Sequence, residues 1–565
     1  MNLGTKAIFT YLLLIILVLL RPNNIVADDA SEITVRVGTN SDDTITLVGN
    51  SQELGDLLKQ NLSALESGTY CWVYAQAETL VIAEGITVVA DNLNLVMRNV
   101  TIKAHEDLIF SHIIRFSGSN NTIFGVKVQG PDNRELHHPT KGHTSGIHVS
   151  GTNAKIISCE SSNMPNGPNG AWSHCFWVTG NGAEVSCCTA SNPGYDCYSN
   201  RAANASYDRI ESFIDSPTSN GYNRFFNSHG NENHAPGILT VRNAKFTASY
   251  DADTPNELRQ AVVRIGSHQL FEMSDTDIEL GENVNNAATR NHTIKLSTLL
   301  REARLNNVTI ESENPSFIGH NLSLASRQPP NPMVSSDETV LLDCKVTNCS
   351  FDHGIIALVA ANSLDIRESS IGTLQNNKHY LFQGMGKVKD IRMEDTVLAN
   401  SGTMLHFGGT SSSLPDSKIT LRNVDFTSAT RVTSFVFHGN NNTYPRRASF
   451  LDAIDFTYDK SPDAVNPLYL ASGRINCLAM TSASSDFDED GNGDPDGDSL
   501  RFDSRFGVQG VTSGHTMLGP PFREMPGVDG DRIYPHPGNN PSLYGWGNAQ
   551  YWEFKNSVWE PYFGP

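Results

Sequence analysis

Four short segments between residues 145 and 227 place side chains suited to acid–base chemistry and to sugar binding at matching positions. They recur at intervals of 21 to 29 residues, and their first residues are Ser145, His174, Tyr195 and Tyr222. Successive side chains of an extended strand point to opposite faces. Stacked segments therefore predict an outward-facing column that contains His148, Trp177, Tyr198 and Arg224.

The column extends in both directions, and its chemistry changes along the chain. Its first six members are basic or aromatic, namely Arg115, His148, Trp177, Tyr198, Arg224 and Arg264. Its later members are mostly apolar, namely Leu358, Leu381, His406 and Val436. Aromatic side chains stack on the apolar faces of sugar rings, and the guanidinium group of arginine forms paired hydrogen bonds with carboxylate or sulfate groups. We therefore expect Arg115, Trp177 and Arg264, with His229 of a polar loop, to bind an acidic sugar. The alternative is a solvated strand face with a stacked side-chain ladder.

Two reactions fit these residues, and the first is slightly preferred. A uronate lyase needs a base for the proton next to the carboxylate and a cation that neutralises this carboxylate. His148, Tyr198 or an arginine is the candidate base, and Arg224 or a calcium ion is the candidate neutralising group. A glycoside hydrolase instead needs two carboxylates. Asp196 is its first candidate, and Asp208 and Asp215 are the others.

The elements that would position these residues are short repeated strands. Ile114-Arg-Phe-Ser-Gly118 aligns without gaps with Ile147-His-Val-Ser-Gly151, and an Arg-Asn turn recurs near residues 98, 242 and 422. One such coil cannot bury its own apolar face, so neighbouring coils must stack. In this pattern the chain resembles the pectin-lyase-like proteins. The resemblance implies an all-β fold, a right-handed parallel β-helix, over residues 82–478. A β-sandwich or propeller is the alternative.

The resemblance does not extend to a particular enzyme family. Ser228-His229-Gly230 is similar to the Gly-His-Gly motif of polygalacturonase-like enzymes, but no central Asp-Asp precedes it. The Arg-x-Pro-x-x-Arg motif of pectate lyases is also absent from the sequence. The pattern therefore supports the fold and leaves the activity open.

Beyond the repeats, residues 486–498 alternate carboxylates with glycine. Several oxygens on such a segment can surround one hard cation, and glycine permits the tight turns between them. The segment resembles calcium loops of the thrombospondin type-3 or dockerin kind. The expected ligands, over two possible registers, are Asp486, Asp488, Asp490, Asn492, Asp494 and Asp496. A solvated acidic linker is the alternative.

The composition of the chain and its first residues limit where the protein can be located and which partners it can have. Lys6 precedes an apolar stretch that ends at Leu20, and residues 1–27 are typical of a secretory signal, with an uncleaved anchor as the alternative. We expect a secreted or cell-surface monomer with no further membrane span. The net charge of −20 and the absence of a basic stripe argue against a nucleic-acid partner. Nine cysteines in an exported chain predict disulfides and one remaining thiol.

The chain is therefore divided into residues 1–27 as signal peptide, 28–81 as N-terminal cap, 82–478 as β-helix, and 479–565 as acidic segment and tail. We expect an exported carbohydrate-active protein that binds and cleaves an acidic polysaccharide. The alternative is a non-catalytic surface or adhesion protein with a glycan-binding face. A catalytic protein would cluster its titratable groups in one groove, whereas an adhesin would spread similar ladders over many coils.

Overall fold

The computed structural model describes the larger part of the chain. The described residues are 31–38, 44–106, 108, 112–135, 143–165, 172–218, 223–229, 237–266, 268–285, 292–296, 300–314, 320–324, 342–357, 361–372, 382–384, 388–398, 405–409, 418–425, 433–439, 450–457, 468–471, 476–477, 501–503, 507–509, 516–517, 529–530, 532–535, 549–556 and 558–564. The expected signal peptide, the expected calcium segment, Leu358 and Leu381 lie outside these residues.

Short strands dominate the described residues. In chain order they are β1 (Ser31–Gly38), β2 (Thr44–Gly49), β3 (Tyr70–Ile82), β4 (Ile86–Val88), β5 (Asn94–Ala104), β6 (His112–Phe116), β7 (Thr122–Phe124), β8 (Lys127–Gln129), β9 (His143–Val149), β10 (Lys155–Ile157), β11 (Glu160–Ser162), β12 (Trp172–Val178), β13 (Ala183–Ser186), β14 (Thr189–Ser191), β15 (Asp196–Asn200), β16 (Ala205–Asp208), β17 (Glu211–Ile214), β18 (Arg224–His229), β19 (Ile238–Arg242), β20 (Lys245–Ala248), β21 (Val262–Gly266) and β22 (Leu270–Leu280). They continue as β23 (Ile294–Leu296), β24 (Glu302–Ser312), β25 (Leu322–Leu324), β26 (Leu342–Thr347), β27 (Ser350–Phe351), β28 (Ile355–Ala357), β29 (Ala361–Arg367), β30 (Ser370–Ile371), β31 (Phe382–Gly384), β32 (Val388–Leu398), β33 (Leu405–Gly409), β34 (Lys418–Asp425), β35 (Thr433–Gly439), β36 (Phe450–Thr457), β37 (Leu468–Ala471), β38 (Asn476–Cys477), β39 (Arg501–Asp503), β40 (Gly507–Gln509), β41 (Thr516–Met517), β42 (Arg532–Pro535), β43 (Tyr551–Lys555) and β44 (Val558–Tyr562). One α-helix, α1 (Ser51–Ser63), and a 3-10 turn at Asn256–Leu258 complete the described elements.

Within the stacked coils, strands pair with the strand one coil away and not with their neighbour in sequence. In the sheet that we call sheet 2, β9 pairs in parallel with β6 and β12, and the parallel series continues through β15, β18 and β21. The intervening strands, such as β10 and β13, pair in parallel in a second stack, sheet 1. This pairing is that of a solenoid. The predicted all-β fold and its parallel β-helix architecture are therefore confirmed. Among the described strands, antiparallel pairs join β1 to β2 and β3, β39 to β40, and β43 to β42 and β44.

The core consists of apolar side chains that stack from coil to coil. In sheet 2, Ile147, Phe176, Tyr198 and Phe226 occupy one register position and are buried. The Phe176 and Tyr198 rings stack at 5.0 Å, and the Tyr198 and Phe226 rings at 6.3 Å. Each ring fills the space between its neighbours above and below, so no single coil has a complete core.

Asparagine forms the corners between strands. Asn92, Asn120 and Asn153 have φ values of 54°, 55° and 53°, a left-handed backbone that asparagine tolerates better than most residues. Their side chains form a ladder, since Asn153 Nδ2 donates to Asn120 Oδ1 at 3.2 Å and Asn120 Nδ2 donates to Asn92 Oδ1 at 3.3 Å. The recurring Arg-Asn turns at Asn99 and Asn243 use the same left-handed backbone, because both asparagines have positive φ.

Helix α1 covers the N-terminal end of the core. It runs from Ser51 to Ser63 and is the one α-helix of the described residues. Asn50 caps the helix by accepting from the Glu53 backbone N–H at 3.0 Å, and the leucines of one face, Leu54, Leu58 and Leu62, are buried. Among the described residues, no helix is both long and apolar enough to cross a membrane.

The expected disulfides are not shown, because the eight cysteines whose side chains the structure describes are free thiols. Cys159 and Cys188 occupy equivalent positions in adjacent coils, and the Cys159 backbone N lies 3.4 Å from Cys188 Sγ. Both are buried, and burial is the main cause that raises the pKa of the Cys188 thiol well above its usual value. The stacked thiols act as small apolar core residues.

Candidate functional site

The outward column of sheet 2 agrees with the prediction at its start and departs from it in the middle. Arg115, His148 and Trp177 are aligned on β6, β9 and β12 as predicted. The next positions are Ser199 and Asn227, where Tyr198 and Arg224 were predicted, and Arg264 follows. The column then continues through Lys295 and Ser323, so it remains polar for longer than expected.

The placement of Tyr198 on the outward face is wrong. Its ring is fully buried in the core, in register with Phe176. Its hydroxyl oxygen lies 2.7 Å from the Cys188 carbonyl and 3.1 Å from the Glu211 carbonyl. Burial, together with neighbouring thiols, raises the pKa of Tyr198 well above its usual value. The predicted segments aligned Tyr195 with His174, whereas the structure pairs Asp196 with His174, and a slip of one residue moves a side chain to the opposite face of the strand.

A second row of polar side chains lies three residues earlier on the same strands. It runs through Ser145, His174, Asp196 and Arg224, which pair in register on β9, β12, β15 and β18. We call this set the second row. Its side chains are buried, which is costly for charged groups unless they are paired. Arg224 therefore contributes to this row, and not to the outward column.

Asp196 is the centre of the second row, and its carboxylate has three partners. Asn227 Nδ2 donates to Oδ2 at 2.9 Å, and His174 Nδ1 lies 3.0 Å from the same oxygen. Arg224 approaches Oδ1 at 3.5 Å. Burial alone would raise the pKa of Asp196, but Arg224, His174 and Asn227 outweigh it and hold this pKa below its usual value. Asp196 is thus a buried carboxylate that stays ionised at neutral pH.

A second histidine extends this contact toward the surface. His143 Nδ1 lies 3.1 Å from His174 Nε2, and His143 is partly exposed at the start of β9. In the tautomer that places the His174 proton on Nδ1, beside the carboxylate, its Nε2 is an acceptor. His143 must then donate through Nδ1, and its lone pair is on Nε2. Asp196, His174 and His143 form what we call the Asp–His–His relay.

Aromatic rings surround the relay. Trp177 stacks against His148 at 4.2 Å and against His143 at 4.7 Å, with interplanar angles of 17° and 20°. Trp172 contacts His143 edge-on at 4.6 Å and stacks with Tyr195 at 5.6 Å. These rings exclude water from the histidines and present flat apolar faces beside them.

Two arginines complete the site. The Arg201 guanidinium carbon lies 5.6 Å from the centre of the Trp172 ring, and that of Arg224 lies 4.5 Å from the Tyr195 ring. Arg224 Nη2 also donates to the Tyr195 hydroxyl at 2.9 Å.

Burial is the main cause that raises the pKa of Tyr195, so this phenol is protonated at neutral pH. The site therefore combines cations, aromatic faces, a weak acid and a histidine base.

Burial keeps His112, His143 and His148 neutral by lowering the pKa of each imidazole. It lowers the pKa of His148 to about 2 and that of His112 to about 3, with contributions from Arg115 and the other histidines. It lowers the pKa of His143 to about 4, with help from His174 and Arg201 and against the opposing effect of Asp196. His148 is buried beneath Trp177 and its Nε2 lies 3.2 Å from Thr179 Oγ1. His143 is thus better placed than His148 to meet a substrate.

The remaining predicted residues fall in different places. Arg115, Trp177 and Arg264 are half-buried on the outward column. His229 ends β18 opposite Gly266. Asp208 ends β16 and Asp215 follows β17, so both belong to sheet 1 and are not brought to Asp196. Sequence reasoning missed His143, His174, Trp172 and Tyr195; extending the strands to their true starts would have aligned His143 with Trp172 and His174 with Asp196.

Comparisons with known proteins leave the activity open. No family model matches the chain, and no curated protein matches it. Among solved structures it is similar to "a new PL6 alginate lyase complex with trisaccharide", with 11% sequence identity and a TM-score of 0.34. The match covers 77% of this chain and 86% of that one. A similarity at this level supports no inference about activity, so the site is interpreted from its own geometry.

Proposed function

We propose that this chain is a secreted enzyme that binds an acidic polysaccharide and cleaves it by β-elimination. The observation that carries the proposal is the Asp–His–His relay, which ends in a partly exposed imidazole beside arginines and aromatic rings. The titratable groups of the site cluster on β6 to β18. Such clustering is expected of a catalytic groove and not of a uniform adhesive ladder.

The proposed substrate is a polymer that contains uronate residues. Trp172 and Trp177 offer faces for sugar rings, and Arg201, next to Trp172, is in reach of a carboxylate bound there. Arg115 and Arg264 on the outward column would bind further acidic groups, and His229 is kept as a substrate-binding residue on the sequence argument alone. These arginines provide local positive charge on a protein whose net charge is −20.

The proposed reaction uses His143 as the base and Tyr195 as the acid. His143 Nε2 removes the proton from the carbon next to the substrate carboxylate, while Arg201 stabilises the negative charge that develops on this carboxylate. The electron pair forms a carbon–carbon double bond, and the bond to the departing sugar oxygen breaks. That oxygen takes a proton, for which the protonated Tyr195 hydroxyl, stacked on Trp172, is the proposed donor. Asp196 positions His174 and, through it, the tautomer of His143.

Elimination fits the site better than hydrolysis. A glycosidase needs two carboxyl groups on either side of the scissile bond. Asp196 is fully buried and paired with Arg224, and Asp208 and Asp215 lie on the other sheet. Asp196 is therefore better suited to orienting a base than to acting as an acid or a nucleophile.

Calcium binding remains part of the proposal. Asp486, Asp488, Asp490, Asn492, Asp494 and Asp496 supply the kind of oxygen ligands that calcium prefers. We propose that calcium stabilises this segment, separately from the Asp–His–His relay. A chelator should then lower the thermal stability of the protein without changing the tautomer of His143.

The test measures the products formed from a panel of acidic and neutral polysaccharides. Ultraviolet absorbance of a conjugated double bond is expected with a uronate polymer. His143→Gln should lower this rate about 100-fold or more, since a positioned base contributes at least this factor. His105→Gln, just beyond β5, is the matched control and should leave the rate unchanged.

Other results would contradict elimination in distinct ways. New reducing ends without an unsaturated product would indicate hydrolysis. Binding without any cleavage would favour the non-catalytic surface protein. An unsaturated product at an unchanged rate in His143→Gln would remove the relay from the mechanism.

A further inference from the structure

A row of aromatic residues lies on the outer face of sheet 1, away from the proposed active site. Tyr70, Trp72 and Tyr74 alternate along β3 with the buried Cys71 and Val73. Their exposed fractions are 52%, 43% and 48%. We call these three residues the β3 aromatic strip.

The strip contributes little to the core. Cys71 and Val73 supply the buried face of β3, so the three rings on the opposite face are not required for packing. Contiguous exposed rings are unusual, and they commonly mark a binding surface. Residues two apart on a strand are about 6.6 Å apart, so the rings form a flat row roughly 13 Å long. A row of this length matches a short run of sugar units.

Positive and polar side chains border the strip on both sides. In β1, Arg36 pairs with Trp72 and Thr34 pairs with Tyr74. In β5, Arg98 pairs with Tyr74, and its guanidinium carbon lies 5.9 Å from the centre of the Trp72 ring. The arginines therefore lie within reach of groups bound on the rings.

We propose that the β3 aromatic strip is a second, non-catalytic binding surface for an acidic polysaccharide. Its rings stack on the faces of the sugars, and Arg36 and Arg98 bind their carboxylates. The substrate class rests on the proposed function, whereas the strip as a glycan site rests on its own geometry. Because β3 is in sheet 1 and the Asp–His–His relay is in sheet 2, a polymer held on the strip leaves the relay accessible.

The surroundings of the strip favour a glycan over a protein partner. Asn94 pairs with Tyr70 and Thr34 with Tyr74, so hydrogen-bonding groups lie directly beside the rings. Sugars present hydroxyl groups around an apolar ring face and need such partners. The fully buried centre of a protein interface is more apolar than this arrangement.

The experiment compares Trp72→Ala and the double variant Tyr70→Ala/Tyr74→Ala with Phe213→Ala. Phe213 is an exposed aromatic residue, 38% accessible, on β17 of the same sheet, and it serves as the matched control. Retention of the full-length protein is measured by electrophoresis through gels that contain an acidic polymer, a neutral polymer or none. We expect both strip variants to bind the acidic polymer about tenfold more weakly, a loss of roughly 1.4 kcal/mol. The Phe213 variant should bind like the unmodified protein.

Turnover of a short oligosaccharide separates this proposal from the previous one. It should be unchanged in the strip variants, because the relay is intact. If the unmodified protein has no lyase activity, the proposed function fails while the retention assay still tests the strip. Unchanged retention in both strip variants, or an equal loss in Phe213→Ala, would overturn the proposal. So would a change from dimer to monomer in Trp72→Ala, since the strip would then be an interface between copies of the chain.

Discussion

Replacement of Asp196 by asparagine tests the relay most directly, because it keeps the shape of the side chain and removes its charge. In the native site the carboxylate accepts from Asn227 at 2.9 Å and lies 3.0 Å from His174 Nδ1. If the new amide nitrogen lies toward His174, with the Asn227 amide turned so that its oxygen accepts, it donates to Nδ1 and the histidine proton moves to Nε2. His143 Nδ1 would then have to accept, and the proton of His143 would move to the Nε2 atom that is proposed to act as the base.

The expected losses of stability and of rate in Asp196→Asn follow from the burial of this carboxylate. Removing one partner of a buried ion pair costs about 3–5 kcal/mol, because the other charge is left without compensation. Arg224 keeps its hydrogen bond to Tyr195. We therefore expect the free energy of unfolding to fall by about 3 kcal/mol, the lower end of this range. The rate of elimination should fall at least about 100-fold, since the base would be blocked.

Three measurements on the same sample would check this reasoning. Denaturant unfolding gives the stability, ultraviolet absorbance gives the rate, and nitrogen NMR of the histidine rings reports which nitrogen of His143 carries the proton. Asn227→Ala is the control, because it removes one hydrogen bond to Asp196 without moving the His174 proton. It should cost about 1 kcal/mol and change the rate less than tenfold. A destabilised Asp196→Asn variant with an unchanged rate and tautomer would refute the relay and leave Asp196 as a structural residue.

Two further predictions concern stability. Burial lowers the pKa of His268 to about 4, whereas an unfolded histidine titrates near 6.5, so below pH 6.5 the unfolded chain takes up a proton that the folded chain does not. The free energy of unfolding should therefore decrease between about pH 6.5 and pH 4, by up to about 1.4 kcal/mol per pH unit for this residue. Urea titrations at several pH values should show a smaller dependence of this free energy on pH in His268→Asn. An unchanged pH dependence would contradict the lowered pKa of His268. Arg134 donates to four backbone carbonyls on three different segments, at 2.6 to 3.2 Å, so Arg134→Lys should lower the free energy of unfolding by about 2 kcal/mol. Arg209→Lys, at an exposed ion pair, is its control and should change this energy by less than about 0.5 kcal/mol, so equal losses in the two variants would argue against a special role of Arg134.

Strand alternation predicted the outward column where the repeated segments were aligned in the register that the structure shows. His148 and Trp177 were placed correctly because β9 and β12 pair in that register, and Arg264 follows the same rule on β21. Tyr198 was misplaced because the sequence aligned Tyr195 with His174, whereas the structure pairs Asp196 with His174. A shift of one residue moves every side chain of a strand to the opposite face, so Ser199 takes the outward position.

The relay was beyond sequence reasoning for a different reason. His143 and His174 are separated by 31 residues, and their contact depends on the register of two coils with a loop between them. Loop lengths vary from coil to coil, so the spacing of residues along the chain does not specify which side chains meet. The pKa of His143 likewise depends on burial by Trp172 and Trp177 and on the charge of Arg201, which come from other coils or strands.

The sequence by itself determined the architecture of this protein, because a β-helix is specified locally. Alternating apolar residues form each strand, and asparagines that tolerate positive φ form the corners. The sequence of each coil therefore specifies its own strands and turns. The tertiary structure alone decided the register between coils, and with it the chemistry. It placed Tyr198 in the core, left the stacked cysteines as free thiols and brought Asp196, His174 and His143 into one relay. Side chains on adjacent coils interact through contacts that exist only after stacking, so no single segment of the chain contains them.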